Sequence, residues 1–122
     1  MSKVIMVVDD SDIIREMATF VLEKSGFKVV AAVDGQEAFE KLEKTRVDLL
    51  ISDLHMPNMD GIALTKAIRS ESLHRFMPVV LLTSESQKDK INEARAAGAT
   101  GCLEKPFEPD QLLATVKRLI RS

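Results

Sequence analysis

The chain has 122 residues, 45% of them hydrophobic and 30% charged, which is the size and balance of one globular domain with a core of its own. Its 17 basic and 19 acidic residues leave a net charge of −2, so the basic surplus of an electrostatic nucleic-acid binder is missing. One cysteine, Cys102, excludes an internal disulfide framework and points to a reducing compartment.

The N-terminal stretch MSKVIMVVDD is too short to span a membrane and lacks the layout of a signal peptide. It predicts a first strand over Val4–Val8. Asp10 or Ser11 is placed to cap a helix whose inner face carries Ile13, Ile14, Met17, Ala18, Val21 and Leu22, ending at Gly26. A second strand follows over Val29–Val33, then a short helix from Gly35 to Lys44 with Ala38, Phe39 and Leu42 inward. A third strand is expected over Val47–Ile51. Asp60 is placed to cap a helix carrying Ile62, Leu64, Ala67 and Ile68. The fourth strand is read at Val79–Leu82, and a helix over Gln87–Ala97 has Ile91 and Ala94 inside and stops at Gly98. A weak fifth strand at Gly101–Leu103 precedes a helix that starts near Pro109 and shows Leu112, Leu113, Val116, Leu119 and Ile120. His74 falls in a charged loop, where solvation is expected.

The strand runs are rich in Val, Ile and Leu and mostly do not alternate, as in strands buried on both faces. Strand and helix alternate five times. Right-handed crossovers then give an α/β fold, a parallel sheet with helices on both sides. Chemistry in such a sheet collects at the carboxyl ends of the strands. Those ends hold Asp9 and Asp10 after the first strand, Asp53 after the third, Thr83 and Ser84 after the fourth, and Glu104, Lys105 and Pro106 after the fifth. If strands 1, 3, 4 and 5 are neighbours, three carboxylates, a hydroxyl and an ammonium share one pocket. Clustered carboxylates repel unless a cation sits among them or a proton is taken up. Oxygen donors suit Mg²⁺. Asp53 beside a metal, a lysine and a hydroxyl suits phosphoryl transfer, with Asp53 as the nucleophile.

The motifs VVDDS (Val7–Ser11), ISDLHMPNMDG (Ile51–Gly61), LLTS (Leu81–Ser84), AAGATG (Ala96–Gly101) and EKPF (Glu104–Phe107) occur in this order and spacing. Each alone is weak; together they are specific, and the whole chain resembles a stand-alone receiver domain of the two-component response regulators, the CheY-like type. The resemblance implies a flavodoxin-like (βα)5 fold with strand order 2-1-3-4-5, one receiver domain over residues 1–122 and no output domain. It implies Asp53 as phosphoacceptor, Thr83 and Lys105 as its partners, and Mg²⁺ held by Asp10, Asp53 and the backbone carbonyl of His55, with Asp9 acting through water. It further implies a cis Lys105–Pro106 bond and a phosphodonating sensor histidine kinase. The downstream protein would bind the face made by helix 4, strand 5 and helix 5. A cytoplasmic monomer is expected, without nucleic-acid or membrane partners. Such a domain is a signalling module that catalyses its own phosphorylation and dephosphorylation rather than an enzyme. Chemotaxis is the leading pathway reading; phosphorelay intermediates and phosphate sinks look alike.

One departure stands out. Cys102 lies three positions before the lysine, where relatives keep an aromatic ring that swings with the hydroxyl. The expectation is a switch through Thr83, Ser84 and helix 4, with Cys102 in a smaller role. The resemblance also implies that His55 and Glu85, beside the pocket, tune how fast the phosphoryl group is lost. Two rival readings fit less well. A haloacid-dehalogenase-type phosphatase carries its nucleophile after the first strand in a D-x-D motif. A flavodoxin-like electron carrier needs a hydroxyl-rich phosphate loop and stacking aromatics, but VVDDSD supplies acids and the chain has no Trp or Tyr.

Overall fold

The computed structural model describes residues 2–71 and 73–120, for Glu71 and Glu85 the backbone alone. Five strands, β1 (Val4–Val8), β2 (Lys28–Ala32), β3 (Leu49–Asp53), β4 (Val79–Thr83) and β5 (Gly101–Glu104), form one parallel sheet in the order β2-β1-β3-β4-β5. Five helices connect or follow them: α1 (Asp12–Lys24), α2 (Gly35–Leu42), α3 (Gly61–Glu71), α4 (Ile91–Ala97) and α5 (Pro109–Leu119). This is the expected doubly wound α/β fold.

The unbroken apolar runs follow from burial on both faces. Along β1, Ile5 and Val7 pack with Ala18 and Leu22 of α1 and Leu112 and Val116 of α5. Met6 and Val8 point the other way, to Ala38 and Leu42 of α2, Leu64 and Ile68 of α3, and Ala94 of α4. β3 and β4 repeat this split: Leu49, Ile51, Val80 and Leu82 face one layer, while Leu50, Val79 and Leu81 face the other. Side chains alternate sides along a strand, so a strand between two helical layers needs apolar residues at every position.

Helix ends follow their caps. Ser11 rather than Asp10 caps α1, accepting the Ile14 N–H at 3.3 Å. Asp34 caps α2 through the Glu37 N–H at 2.9 Å. Asp60 accepts the Ala63 N–H at 2.8 Å at the start of α3. Gly98 ends α4 with φ of 107°, a left-handed conformation that suits glycine.

Several boundaries differ from the sequence reading. β2 ends at Ala32, leaving Val33 exposed. β3 starts at Leu49 and runs on to Asp53, because Ser52 and Asp53 keep pairing with β1 and β4 after the apolar run has ended. α2 stops at Leu42, two residues short of Lys44. Residues Glu85–Lys90 form a 3-10 turn, so α4 proper is only Ile91–Ala97. Ile13 is 77% exposed instead of facing the core, since Ala18 and Leu22 define the buried line of α1.

His74 is also not simply solvated. Its Nε2 accepts the backbone N–H of Val47 at 3.1 Å, joining the α3–β4 connection to the start of the third strand's segment. Burial, with Arg46 adding to it and Asp48 opposing it, holds the imidazole below its ordinary pKa of 6.5. A nitrogen that accepts must be unprotonated, so the neutral form is the folded one. With the folded value below the unfolded one, this group's stabilisation is present above pH 6.5 and is lost as pH falls through the folded value. The urea midpoint is therefore expected to fall on acidification below pH 6.5, and less steeply in His74→Gln, which keeps an acceptor that does not titrate. Equal slopes in the two proteins would count against this account.

No helix among the described residues is long and apolar enough to cross a membrane.

Candidate phosphoryl-transfer site

Three strand ends bring the polar residues together. Asp9 follows β1 and is fully buried; Asp53 closes β3 with 8% of its surface exposed; Thr83 closes β4 at 3%. The register sets Asp53 opposite Leu82, so Thr83 lies one residue beyond, and Thr83 in turn pairs with Glu104. Lys105 therefore leaves β5 at the level of this cluster, and its backbone N–H bonds the Thr83 carbonyl at 2.6 Å.

The Lys105 ammonium reaches both buried acids, 3.1 Å from Asp53 Oδ1 and 3.2 Å from Asp9 Oδ2. Asp9 also accepts the Ser11 N–H at 2.9 Å through Oδ1, and Asp53 Oδ1 accepts the Leu54 N–H at 2.9 Å. Both oxygens of Asp9 are thus engaged by the protein itself. Asp10, by contrast, is exposed. The Lys105–Pro106 peptide is cis, as the resemblance implies.

Oxygens of Asp9, Asp10 and Asp53 all lie within 4.8 Å of one another. One ammonium does not balance three carboxylates. Burial, and next the charge of Asp9, push the Asp53 carboxyl above its usual range, against the pull of Lys105. Burial also works against the charged Lys105, but the hydrogen bond and charge of Asp53, then Asp9, raise it above its ordinary value. An all-oxygen donor set with surplus negative charge fits a hard divalent cation such as Mg²⁺, and none of the three offers the nitrogen or sulfur that zinc prefers.

Other expected residues take more peripheral places. The His55 side chain is exposed. Ser84 starts the 3-10 turn, with its N–H bonded to Gln87 Oε1 at 2.9 Å and its hydroxyl 3.0 Å from that of Ser86. Glu85 lies in that turn, and its side chain is outside the described residues. Cys102 is half-buried on β5, beside a hollow of about 320 Å³ lined also by Thr83, Lys88, Ile91, Arg95 and Glu104. Burial, partly offset by Arg95, pushes its thiol up, away from the reactive thiolate. The sequence reading missed Arg15, whose guanidinium bonds the Asp9 carbonyl and pairs with Asp12. Asp34, in the turn that leads into α2, also accepts from Asn58 Nδ2 at 2.7 Å. Asn58 has a positive φ of 69°, a conformation that asparagine tolerates and that the sequence does not reveal.

Because like charges crowd Asp53, removing its charge is expected to stabilise the metal-free protein. Its folded pKa lies above the unfolded one, so its ionisation costs stability in full above the folded value, and that loss is relieved as pH falls through the folded value to below the unfolded one. Asp53→Asn should therefore raise the urea unfolding midpoint at pH 7 in chelator-treated buffer, with Lys105 retained by Asp9. A lower unfolding midpoint in Asp53→Asn would mean that the Lys105–Asp53 pair outweighs the repulsion.

The family model for the response regulator receiver domain matches residues 5–117. The chain is 37% identical over 121 residues to the phosphate regulon transcriptional regulatory protein PhoB of Escherichia coli, covering 99% of this chain and 53% of that protein. It is 37% identical to the alkaline phosphatase synthesis transcriptional regulatory protein PhoP of Bacillus subtilis, with 99% and 50% covered. The chain thus spans about half the length of the curated relatives it matches. Among solved structures, the chemotaxis response regulator CheY4 of Vibrio cholerae superposes with a TM-score of 0.93 at 42% identity, covering 98% of this chain and 100% of that one. The receiver domain of the sensor histidine kinase PA1611 from Pseudomonas aeruginosa, described with a magnesium ion in its active-site cleft, superposes at 0.90 with 27% identity and complete coverage of both chains.

Proposed function

The chain belongs to the response regulator receiver domain family of two-component signalling, and on that premise we propose that it accepts a phosphoryl group on Asp53 from a phosphohistidine of a sensor kinase. The observation that carries this reading is the Lys105 ammonium set between Asp53 and Asp9 at 3.1 and 3.2 Å, inside a cluster of three carboxylates. The transfer forms a bond between an Asp53 carboxylate oxygen and phosphorus and breaks the P–N bond of the donor, whose electron pair stays on the imidazole nitrogen. The product is an acyl phosphate on Asp53.

Asp10, Asp53 and the His55 carbonyl would hold Mg²⁺, with Asp9 behind them. Bound there, the ion supplies positive charge to offset that on the phosphoryl oxygens. Lys105 offsets charge from the protein side. It sits beside Asp53 before any transfer, so little reorganisation is needed when charge moves. The buried Thr83 hydroxyl, one residue beyond the Asp53 register, is the donor that hydrogen-bonds a phosphoryl oxygen. The Leu54 N–H holds Asp53 Oδ1, and buried Leu54 and Leu82 beside it would restrict water.

The signal would leave through the segment that begins at Thr83. Ser84 and the 3-10 turn connect that hydroxyl directly to α4, so its displacement shifts α4 and the face formed by α4, β5 and α5, where a downstream protein binds. Relatives place a ring at the position of Cys102; here the hollow beside it is lined by Thr83 and Arg95 instead. Chemotaxis is one pathway for such a module, and the relatives named above serve more than one.

Incubation with a small phosphodonor and Mg²⁺ is expected to add one phosphoryl group by intact mass, absent in Asp53→Asn and absent when the metal is chelated. Labelling that persists in Asp53→Asn would remove Asp53 as acceptor. For the switch, Cys102→Ala should keep at least half of the chemical-shift change that a phosphoryl analogue produces in the amides of α4. Loss of most of that change would return the main role to position 102.

A further inference from the structure

The segment after Asp53 turns sharply at its tip. Met59 donates its backbone N–H to the Pro57 carbonyl at 2.7 Å, and the residue between them, Asn58, has φ of 69°. A hydrogen bond from residue i+2 back to residue i around a positive φ marks the rarer, strained kind of γ-turn. Asn58 is the one non-glycine residue with positive φ among the described residues. Such strain persists only where the surroundings over-determine the conformation.

Those surroundings are the start of α2. Asn58 Nδ2 donates to Asp34 Oδ2 at 2.7 Å, and the Gly35 N–H donates to the Met59 carbonyl at 3.1 Å. Asp34 Oδ1 accepts the Glu37 N–H at 2.9 Å, so a single carboxylate caps α2 and grips Asn58. The approach leaves no room: a Cβ on Gly35 would stand 2.5 Å from the Met59 carbonyl oxygen. At the base of the loop the Gly61 N–H donates to the Leu54 carbonyl at 2.9 Å, and the Leu54 N–H meets Asp53 Oδ1 at 2.9 Å. His55, Met56 and Pro57 are therefore strung between an anchor at the acceptor strand and an anchor on α2.

Neither Asp34 nor Asn58 belongs to the carboxylate cluster. Resting on the magnesium site proposed above, we infer that Asp34 and Asn58 are positioning residues that hold the β3–α3 loop in the conformation in which His55 presents its backbone carbonyl to the metal. A carbonyl cannot be aimed by its own side chain; the backbone on either side aims it. Before His55 the sheet fixes the chain. After it, the turn at Asn58 and its clip to α2 do so. Mg²⁺ tolerates little departure from octahedral geometry, and groups that orient its ligands are commonly worth 10- to 100-fold in affinity.

The test measures Mg²⁺ binding to the full chain by calorimetry, without phosphodonor. Asn58→Gly accepts the positive φ freely and removes only the side-chain bond. Asp34→Ser keeps an oxygen to cap α2 and releases Asn58. Each is expected to weaken Mg²⁺ binding about 5- to 20-fold, with the double variant no weaker than the worse single, because both remove one shared bond. Asp34→Asn, whose amide donates to a flipped Asn58, should restore binding to within about 3-fold. A purely structural role would lower the thermal midpoint of the metal-free variants and leave Mg²⁺ affinity as in the wild type, which would overturn the inference. Asp10→Asn separates the two levels. If the wild type binds Mg²⁺ and Asp10→Asn does not, an unchanged affinity in Asn58→Gly and Asp34→Ser removes the positioning role alone. If the wild type and Asp10→Asn behave alike, the magnesium site itself falls and the positioning role with it.

Discussion

The contact of Lys105 with Asp53 and Asp9 governs the rest of the structure. Two carboxylates buried to more than nine-tenths at adjacent strand ends would repel each other and lack water. The ammonium lies within 3.2 Å of both, and makes their burial tolerable. It does not neutralise the group, because Asp10 adds a third charge nearby. The fold thus carries a standing surplus of negative charge at a place closed on its inner side by apolar strands. A cation relieves that surplus. A phosphoryl group carries more negative charge and needs cationic partners already in position. The same imbalance that costs stability in the metal-free chain makes the pocket suited to transfer.

The sheet is what allows this imbalance to persist. β1, β3 and β4 are covered on both faces and end in a short stagger, Val8 level with Ser52, Asp53 one residue further and Thr83 one beyond Asp53. Close approaches then set the loops. A Cβ on Gly61 would stand 2.5 Å from the Asp53 carbonyl oxygen, so α3 begins directly against the end of β3. Lys105 is fixed by its backbone bond to Thr83 as well as by its side chain. Asp53, Thr83 and Lys105 therefore cannot drift independently: each is tied to the neighbouring strand by main-chain hydrogen bonds.

Most of this was legible in the sequence, and the failures have a common cause. Apolar runs revealed the strands because burial on both faces demands them. They misplaced the end of β3, since Ser52 and Asp53 stay paired in the sheet with no apolar side chain to reveal it. The site residues were legible because strand ends in a parallel sheet converge, and Asp9, Asp53, Thr83 and Lys105 all fall at such ends. What sequence did not show is contact between distant loops. His74 bonds Val47 across 27 positions, and Asn58 bonds Asp34 across 24. Both are polar residues in loops, indistinguishable locally from solvated ones. Ile13 fails for the opposite reason: its spacing fits an inner face, but the direction of α1 on the sheet is set by Ala18 and Leu22.

Cys102 gives the coupling problem its particular form in this chain. Thr83 lines the hollow beside Cys102, and it is also the last residue of β4, opposite Glu104. A large ring at position 102 would occupy that hollow and make movement of the hydroxyl depend on movement of the ring. A cysteine leaves the space free. Displacement of Thr83 toward Asp53 would then meet less side-chain resistance, and under the proposed switch the covalent path through Ser84 and the 3-10 turn into α4 would carry more of the change. That turn is a weak link suited to transmission: its i to i+3 bonds have poorer geometry than those of an α-helix. The 3-10 turn Glu85–Lys90, whose residues from Gln87 onward the sequence presents as the start of a longer helix, is thus the element whose rearrangement would couple Thr83 to the α4–β5–α5 face.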